Sequence, residues 1–147
     1  MTAVSPPDAV FRTLHEQTGG RLFTVTVLDR AAGLARRIYS SHPDAYPVSG
    51  TKPMAQGAWT AQVVERGEVF VANTVAEFAI YFADHALIES LGCASALNIP
   101  VLRGGVIGTV NILDEAHHFS LQKVADCEAA CAANHADLVR AMESFTL

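Results

Sequence analysis

The chain has 147 residues, room for one domain with a real core; half its residues are hydrophobic and 17% are charged, which excludes disorder as the main state. A formal charge of −5 and scattered Lys and Arg residues, with Arg36-Arg37 the only adjacent pair, argue against a surface that tracks nucleic-acid phosphates. No apolar run approaches the roughly 20 residues needed to span a bilayer, the first eight residues carry no basic leader, and three cysteines without framework spacing point to a reducing, cytoplasmic setting.

Ser5-Pro6-Pro7-Asp8 is a helix-start signal, with Ser5 as cap. Val10, Phe11 and Leu14 form an apolar stripe, and Gly19-Gly20 stops the helix. Leu22 to Leu28 alternates Phe23, Val25 and Val27 against Thr24 and Thr26, the pattern of a strand with one buried face. Asp29 to Gly33 turns the chain and Leu34 to Ser40 returns it. Three prolines and Gly50 mark Ser41 to Met54 as a loop.

Gly57 to Arg66 reads as a helix stopped by Gly67, and Val69 to Ala72 as a short strand. Two short helices follow, Thr74 to Phe82 and Asp84 to Leu91, the second capped by Asp84. Ala94 to Leu102 and Val106 to Leu113 are strands joined by Arg103-Gly104-Gly105, which supplies the positive φ values of a tight turn. Ser120 caps a last helix expected to run unbroken to about Ser144. On it Val124, Cys131, Leu138 and Phe145 recur every seven residues and make a seam, with Cys127, Asn134 and Ala141 on the next rung. No repeat, low-complexity tract or linker interrupts residues 1–147, so one domain is expected. Helices at both ends of a run of strands predict an α/β (α+β) domain, with a largely antiparallel central sheet covered on two sides.

The stretch from Ser95 to Asp114, SALNIPVLRGGVIGTVNILD, resembles the C-terminal half of a GAF domain. The resemblance lies in a strand ending at Pro100-Val101, a glycine turn, the aliphatic-Gly-x-aliphatic strand Ile107-Gly108-Thr109-Val110, and Phe119-Ser120 opening the last helix. The order of elements extends the likeness to the whole chain. It implies a small molecule held between the sheet and the segment from about Trp59 to Leu91. It also implies terminal helices packed on the other sheet face and serving for homodimerisation.

Several residues carry chemistry on this reading. Trp59, Phe70, Phe78, Tyr81 and Phe82 gather where the resemblance places a pocket lid, although aromatics at helical spacing also serve as plain core. Ser95 and Asn98 lie on the first long strand and Asn111 interrupts the second; an unmet polar group there costs about 1–3 kcal/mol, so Asn98 and Asn111, inside otherwise aliphatic strands, need a partner or a ligand. Asp84 and His85 sit at a helix start, where a neutral His85 would suit a ligand bond. The expected ligand-binding set is therefore Trp59, Phe78, Tyr81, Phe82, Asp84, His85, Ser95 and Asn98.

Cys93 stands near the loop where GAF-fold free methionine-R-sulfoxide reductases carry their reactive cysteine. No cysteine precedes it to resolve a disulfide, which leaves Cys93 a weak catalytic candidate. Cys127, Cys131 and His135, at i, i+4 and i+8, could line up soft metal ligands. They lack a fourth group unless His117, His118 or a partner subunit supplies one, and small residues on a packing seam explain them without metal. No phosphate loop, G-x-S-x-G or C-x-x-C is present, nor the Asn-Lys-Phe-Asp order of cyclic-nucleotide GAF domains, nor the cysteine beside a histidine that holds a bilin. The residues name no cofactor. The expectation is a sensor domain for a small organic ligand, signalling through dimer packing or a separate partner. Two alternatives stand beside it: a thiol-dependent reductase of the free methionine sulfoxide type centred on Cys93, and a ligand-free dimerisation or interaction module.

Overall fold

A computed structural model describes residues 8–145, so the Ser5 cap lies outside the described residues. Helix α1 (Ala9–Thr18) leads through Gly19 into β1 (Leu22–Asp29), which folds back on β2 (Leu34–Ser40). Within the expected loop a two-residue strand, β3 (Lys52–Pro53), pairs with the start of β2. Next come α2 (Ala58–Thr60), running into a π turn over Ala61–Glu65, then β4 (Phe70–Ala72), α3 (Val75–Ala79) and α4 (His85–Ser90). The long strands β5 (Ser95–Leu102) and β6 (Val106–Asp114) lead to α5 (Leu121–Ala133) and α6 (His135–Glu143). Ser120 caps α5 by accepting from the Lys123 amide at 3.1 Å, and Gly104 (φ +68°) and Gly105 (φ +154°) make the β5–β6 turn.

The six strands form one sheet in the order β3-β2-β1-β6-β5-β4, every neighbouring pair antiparallel. Period-two alternation sorts their side chains. Phe23, Val25 and Val27 of β1, Leu97, Ile99 and Val101 of β5, and Val110 and Ile112 of β6 share a core with Phe11 and Leu14 of α1 and Leu138 and Met142 of α6. On the opposite face Leu22, Ala96 and Leu113 join Val63, Phe78 and Ile88 of the 59–91 segment in a second cluster. Terminal helices thus cover one face and short helices the other, as the alternation and element order predict.

Gly108 sets the spacing on the helix face. A Cβ there would stand 2.2 Å from Met142 Cε and 2.3 Å from the Thr26 carbonyl oxygen, so α6 and β1 can approach only a bare backbone.

The last helix departs from expectation: it is two helices broken at Asn134. The Asn134 side-chain Nδ2 donates to the Ala130 carbonyl at 2.8 Å, a local bond that competes with helix continuation, and to Gln17 Oε1 of α1 at 3.0 Å. Cys131 and Leu138 of the seven-residue seam are buried in the chain's own core, with Val124 and Phe145 packed at its margin. The seam therefore faces the sheet. Gly57–Arg66 also differs, with a single α turn passing into a π turn, and α3 stops at Ala79, short of Phe82. Among the described residues no helix is long and apolar enough to cross a membrane.

Candidate functional site

Between the sheet and the 59–91 segment lies a cavity of about 400 Å³. Its floor is the face of the sheet on which Thr24 of β1, Asn111 of β6 and Asn98 of β5 stand in one rung, as the registers Thr24↔Asn111 and Asn98↔Asn111 require. A directional hydrogen-bond chain crosses that rung. The Trp59 indole N–H donates to Asn98 Oδ1 at 3.0 Å, and Asn98 Nδ2 donates to Asn111 Oδ1 at 2.8 Å. Asn111 Nδ2 donates in turn to Thr24 Oγ1 at 3.1 Å and Thr26 Oγ1 at 3.3 Å. The two asparagines thus meet the need for partners that their place in aliphatic strands created.

The walls are largely apolar. Trp59 and Val64 come from the α2 region, and Tyr81 and Phe82 from the α3–α4 connection. Trp59 and Phe82 meet edge to face with ring centroids 6.4 Å apart, and Phe78 stacks behind Phe82 at 5.4 Å.

One side of the mouth is polar, and a backbone irregularity puts it there. Thr24 pairs with Ser40 and Thr26 with Arg37, so a bulge in β2 brings Arg37 and Ser40, three residues apart, onto the same cavity face. Arg37 donates to the Pro47 carbonyl at 2.8 Å and lies 3.8 Å over the Tyr46 ring, a cation–π contact. Its other terminal nitrogen is 3.6 Å from Asp84 Oδ2, the oxygen that also accepts the Tyr46 hydroxyl. Burial foremost, then the bond to Asp84, holds the Tyr46 phenol protonated well above its usual range. Asp84 makes no side-chain cap bond to α4. The expected helix cap is instead a latch between α4 and the 41–51 loop.

Of the expected ligand-binding residues, Trp59, Tyr81, Phe82, Asp84 and Asn98 line the cavity. The other three stand elsewhere. Phe78 is fully buried behind the wall, Ser95 is buried and donates to the Asp114 and Glu115 carbonyls, and His85 faces Glu89 at 3.3 Å on the outer side of α4. Cys93 is 1% exposed and lines no part of the cavity; desolvation first, then Asp114, push its thiol up to about 11. Cys127 and Cys131 are buried in the helix-face core, while His135 Nε2 meets the Leu102 carbonyl at 2.8 Å. Among the described residues no group of three metal-ligating side chains converges.

Arg37, Tyr46 and Thr60 are site residues that the sequence did not single out. Arg37 reads as half of a surface basic pair, and Tyr46 as part of a proline-rich loop. The alternation of Thr24 and Thr26 was the available signal, because it marks a polar stripe on a buried strand.

No family model matches the sequence, and no curated protein matches it. Solved structures do match. The GAF domain/HD domain protein from Geobacter sulfurreducens is 13% identical with a TM-score of 0.71, over 99% of this chain and 100% of that one. The GAF domain of a two-component sensor histidine kinase from Bacillus halodurans is 13% identical with a TM-score of 0.70, over 93% of each chain. The GAF domain of a phosphoenolpyruvate-protein phosphotransferase from Coxiella burnetii is 19% identical with a TM-score of 0.68, over 97% of this chain and 88% of that one. With the six-stranded antiparallel sheet and its helices, these likenesses establish that the chain has a GAF-like fold.

Proposed function

We propose that the chain is a small-molecule sensor domain whose organic ligand occupies the cavity between the sheet and the 59–91 flap. The observation that carries this reading is the hydrogen-bonded row from Trp59 through Asn98 and Asn111 to Thr24 and Thr26, opening onto about 400 Å³ of space. A sheet face meant only for packing would be filled with aliphatic side chains, as the helix face is. A concave, mostly apolar site with a few convergent polar groups is the usual form of a small-molecule pocket.

A ligand touching both the sheet and the flap would favour the closed flap by its differential affinity for the two states. The flap is tied to the start of α5 through Asn73. Its side chain accepts from the Phe119 amide at 2.9 Å and donates to the Phe119 carbonyl at 3.1 Å, a two-bond clamp from the end of β4 to the N-terminal end of the last helices. Flap closure would thus bias the terminal helices, through which a homodimer or a separate partner would read the signal.

Thermal-shift and native-mass screening against metabolites and nucleotides tests the proposal. At least one compound is expected to raise the unfolding midpoint, and Trp59→Leu is expected to abolish that rise. A flat response across the panel overturns the reading. The reductase alternative asks a thiolate of Cys93, which is buried and whose thiol is held protonated to about pH 11. Equal reduction of free methionine sulfoxide by the native protein and Cys93→Ser would remove it, as would no reduction by either.

A further inference from the structure

We infer that the cavity selects a small aromatic carboxylate, gripped by the Arg37 guanidinium and the Thr24 and Thr26 hydroxyls. The inference rests on the ligand-binding reading above and names the class of ligand. It starts from a count of donors and acceptors. In the chain across the floor each asparagine oxygen already accepts one hydrogen bond, from Trp59 or from Asn98, and both hydrogens of Asn111 Nδ2 are spent on the two threonines. Each threonine hydroxyl therefore receives a hydrogen bond and keeps its own proton to give, and Asn98 keeps its second N–H. The floor thus keeps three donors to offer, beside a second lone pair on each of its four oxygens.

The mouth adds positive charge. Thr26 and Arg37 are cross-strand partners on the cavity face, so their side chains leave the sheet side by side, with Cβ atoms about 5 Å apart. Arg37 and Lys52 line the mouth, whereas Arg36 turns its guanidinium over the Phe145 ring; Asp84 is the one carboxylate among the described lining residues. Asp84 Oδ2 lies 3.6 Å from one Arg37 terminal nitrogen and the Pro47 carbonyl accepts from the other, so the guanidinium is partly paired and keeps further N–H groups to give. This is a positive mouth on a chain of net charge −5, formed by a guanidinium side chain that is only 19% exposed. A half-desolvated planar fork suits a carboxylate, which accepts two parallel hydrogen bonds.

The rest of the ligand follows from the walls. Trp59, Tyr81, Phe82 and Val64 offer aromatic and aliphatic surface and no charge, so the acid group needs a flat apolar body. A phosphate ester fits less well: no glycine-rich loop faces the cavity, and the partly neutralised Arg37 would have to balance close to two negative charges.

The test is calorimetric titration of the whole chain with benzoate, phenylacetate and indole-3-acetate, each beside its primary amide. The amide keeps the shape and removes the charge. At least one acid is expected to bind about ten-fold or more tightly than its amide, with the advantage shrinking as salt is added. Arg37→Gln is expected to erase that preference, so that acid and amide bind alike, and Thr26→Val to reduce it in part. If Arg37→Gln does not fold, the acid-to-amide ratio of the native protein decides alone. Amides that bind as tightly as acids overturn this inference and leave the sensor reading standing, as does an acid preference that survives in folded Arg37→Gln. If no acid and no amide binds, the inference falls. The sensor reading falls with it only if the broader metabolite panel is flat as well.

Discussion

On β6, Val110 and Ile112 turn to one side and Thr109 and Asn111 to the other, and the two sides of the sheet are finished in opposite ways. On the helix side, side chains of α1, α5 and α6 interlock with the strands, and Gly108 lets α6 come down onto bare backbone. On the flap side the same strands present amides and hydroxyls, and the short helices stand off far enough to leave about 400 Å³. The contrast separates two duties: one face holds the fold together, and the other gives up packing for a polar floor. Stability should therefore be sensitive on the helix face and ligand binding on the flap face.

Gly108→Val is the harshest trial of that division. Its Cβ would meet the Thr26 carbonyl, which belongs to the backbone and cannot rotate away, as well as the end of Met142. We expect a loss of about 3 kcal/mol or more, and an unfolding midpoint lower by on the order of 10 °C in a circular-dichroism melt. An unchanged midpoint would mean that α6 does not bear on the sheet as described.

Leu138→Ala and Asn111→Ala set the two faces side by side. Leu138 is fully buried in the helix-face core, and truncating it should cost about 3 kcal/mol in denaturant unfolding. Asn111→Ala breaks three hydrogen bonds, yet the groups it abandons border the cavity and can turn to water, so about 2 kcal/mol is expected. Ligand affinity should move the other way, falling in Asn111→Ala and holding in Leu138→Ala. Equal stability losses together with equal affinity losses would dissolve the distinction between the faces.

The helix face was far easier to read from the sequence than the cavity face. Phe23, Val25 and Val27 against Thr24 and Thr26 announce which side of β1 is apolar, and the seven-residue spacing of Cys131 and Leu138 marks the stripe that covers it. Two local preferences defeated the extrapolation. Asn134 prefers its own side-chain bonds to one more turn of helix, and the β2 bulge breaks the alternation that would have sent Arg37 and Ser40 to opposite faces. Asp84 follows the same lesson. A carboxylate at a helix start reads as a cap, but Asp84 instead takes the Tyr46 hydroxyl, from a loop 38 residues away in sequence, and Arg37 of β2. Such long-range competition leaves no periodic trace. The cavity's polar stripe was legible, and its charged mouth was not.

Alkali probes the two faces through their buried thiols. Desolvation pushes Cys93, in the flap-face cluster, up to about 11 and Cys131, in the helix-face core, up to about 12, with Asp114 adding to the first and Cys127 to the second. Raised native values favour the protonated fold. The stability they contribute is complete below the unfolded thiol value of 9.0 and is lost as pH climbs through that value toward 11 and 12. Each thiol should cost the native state about 1 kcal/mol by one pH unit above that threshold. Melts of Cys93→Ala and Cys131→Ala between pH 8 and about 11 would apportion the loss. A decline that neither variant softens would show that these thiols are not its source.

Tyr46→Phe asks the gentlest question, because it removes one hydroxyl and keeps the ring beneath Arg37. Asp84 is 39% exposed and can exchange the lost donor for water, so global stability should fall by about 1 kcal/mol or less. The larger effect should be local. The hydroxyl joins the 41–51 loop to α4, and without it amide hydrogens in both segments should exchange faster while those of α6 keep their protection. If protection in α6 drops equally, opening one side of the sheet loosens the other, and the faces are one cooperative unit. If only the loop and α4 respond, the cavity can open without unfolding the helix face, and a ligand that bridges floor and flap can then bias that opening.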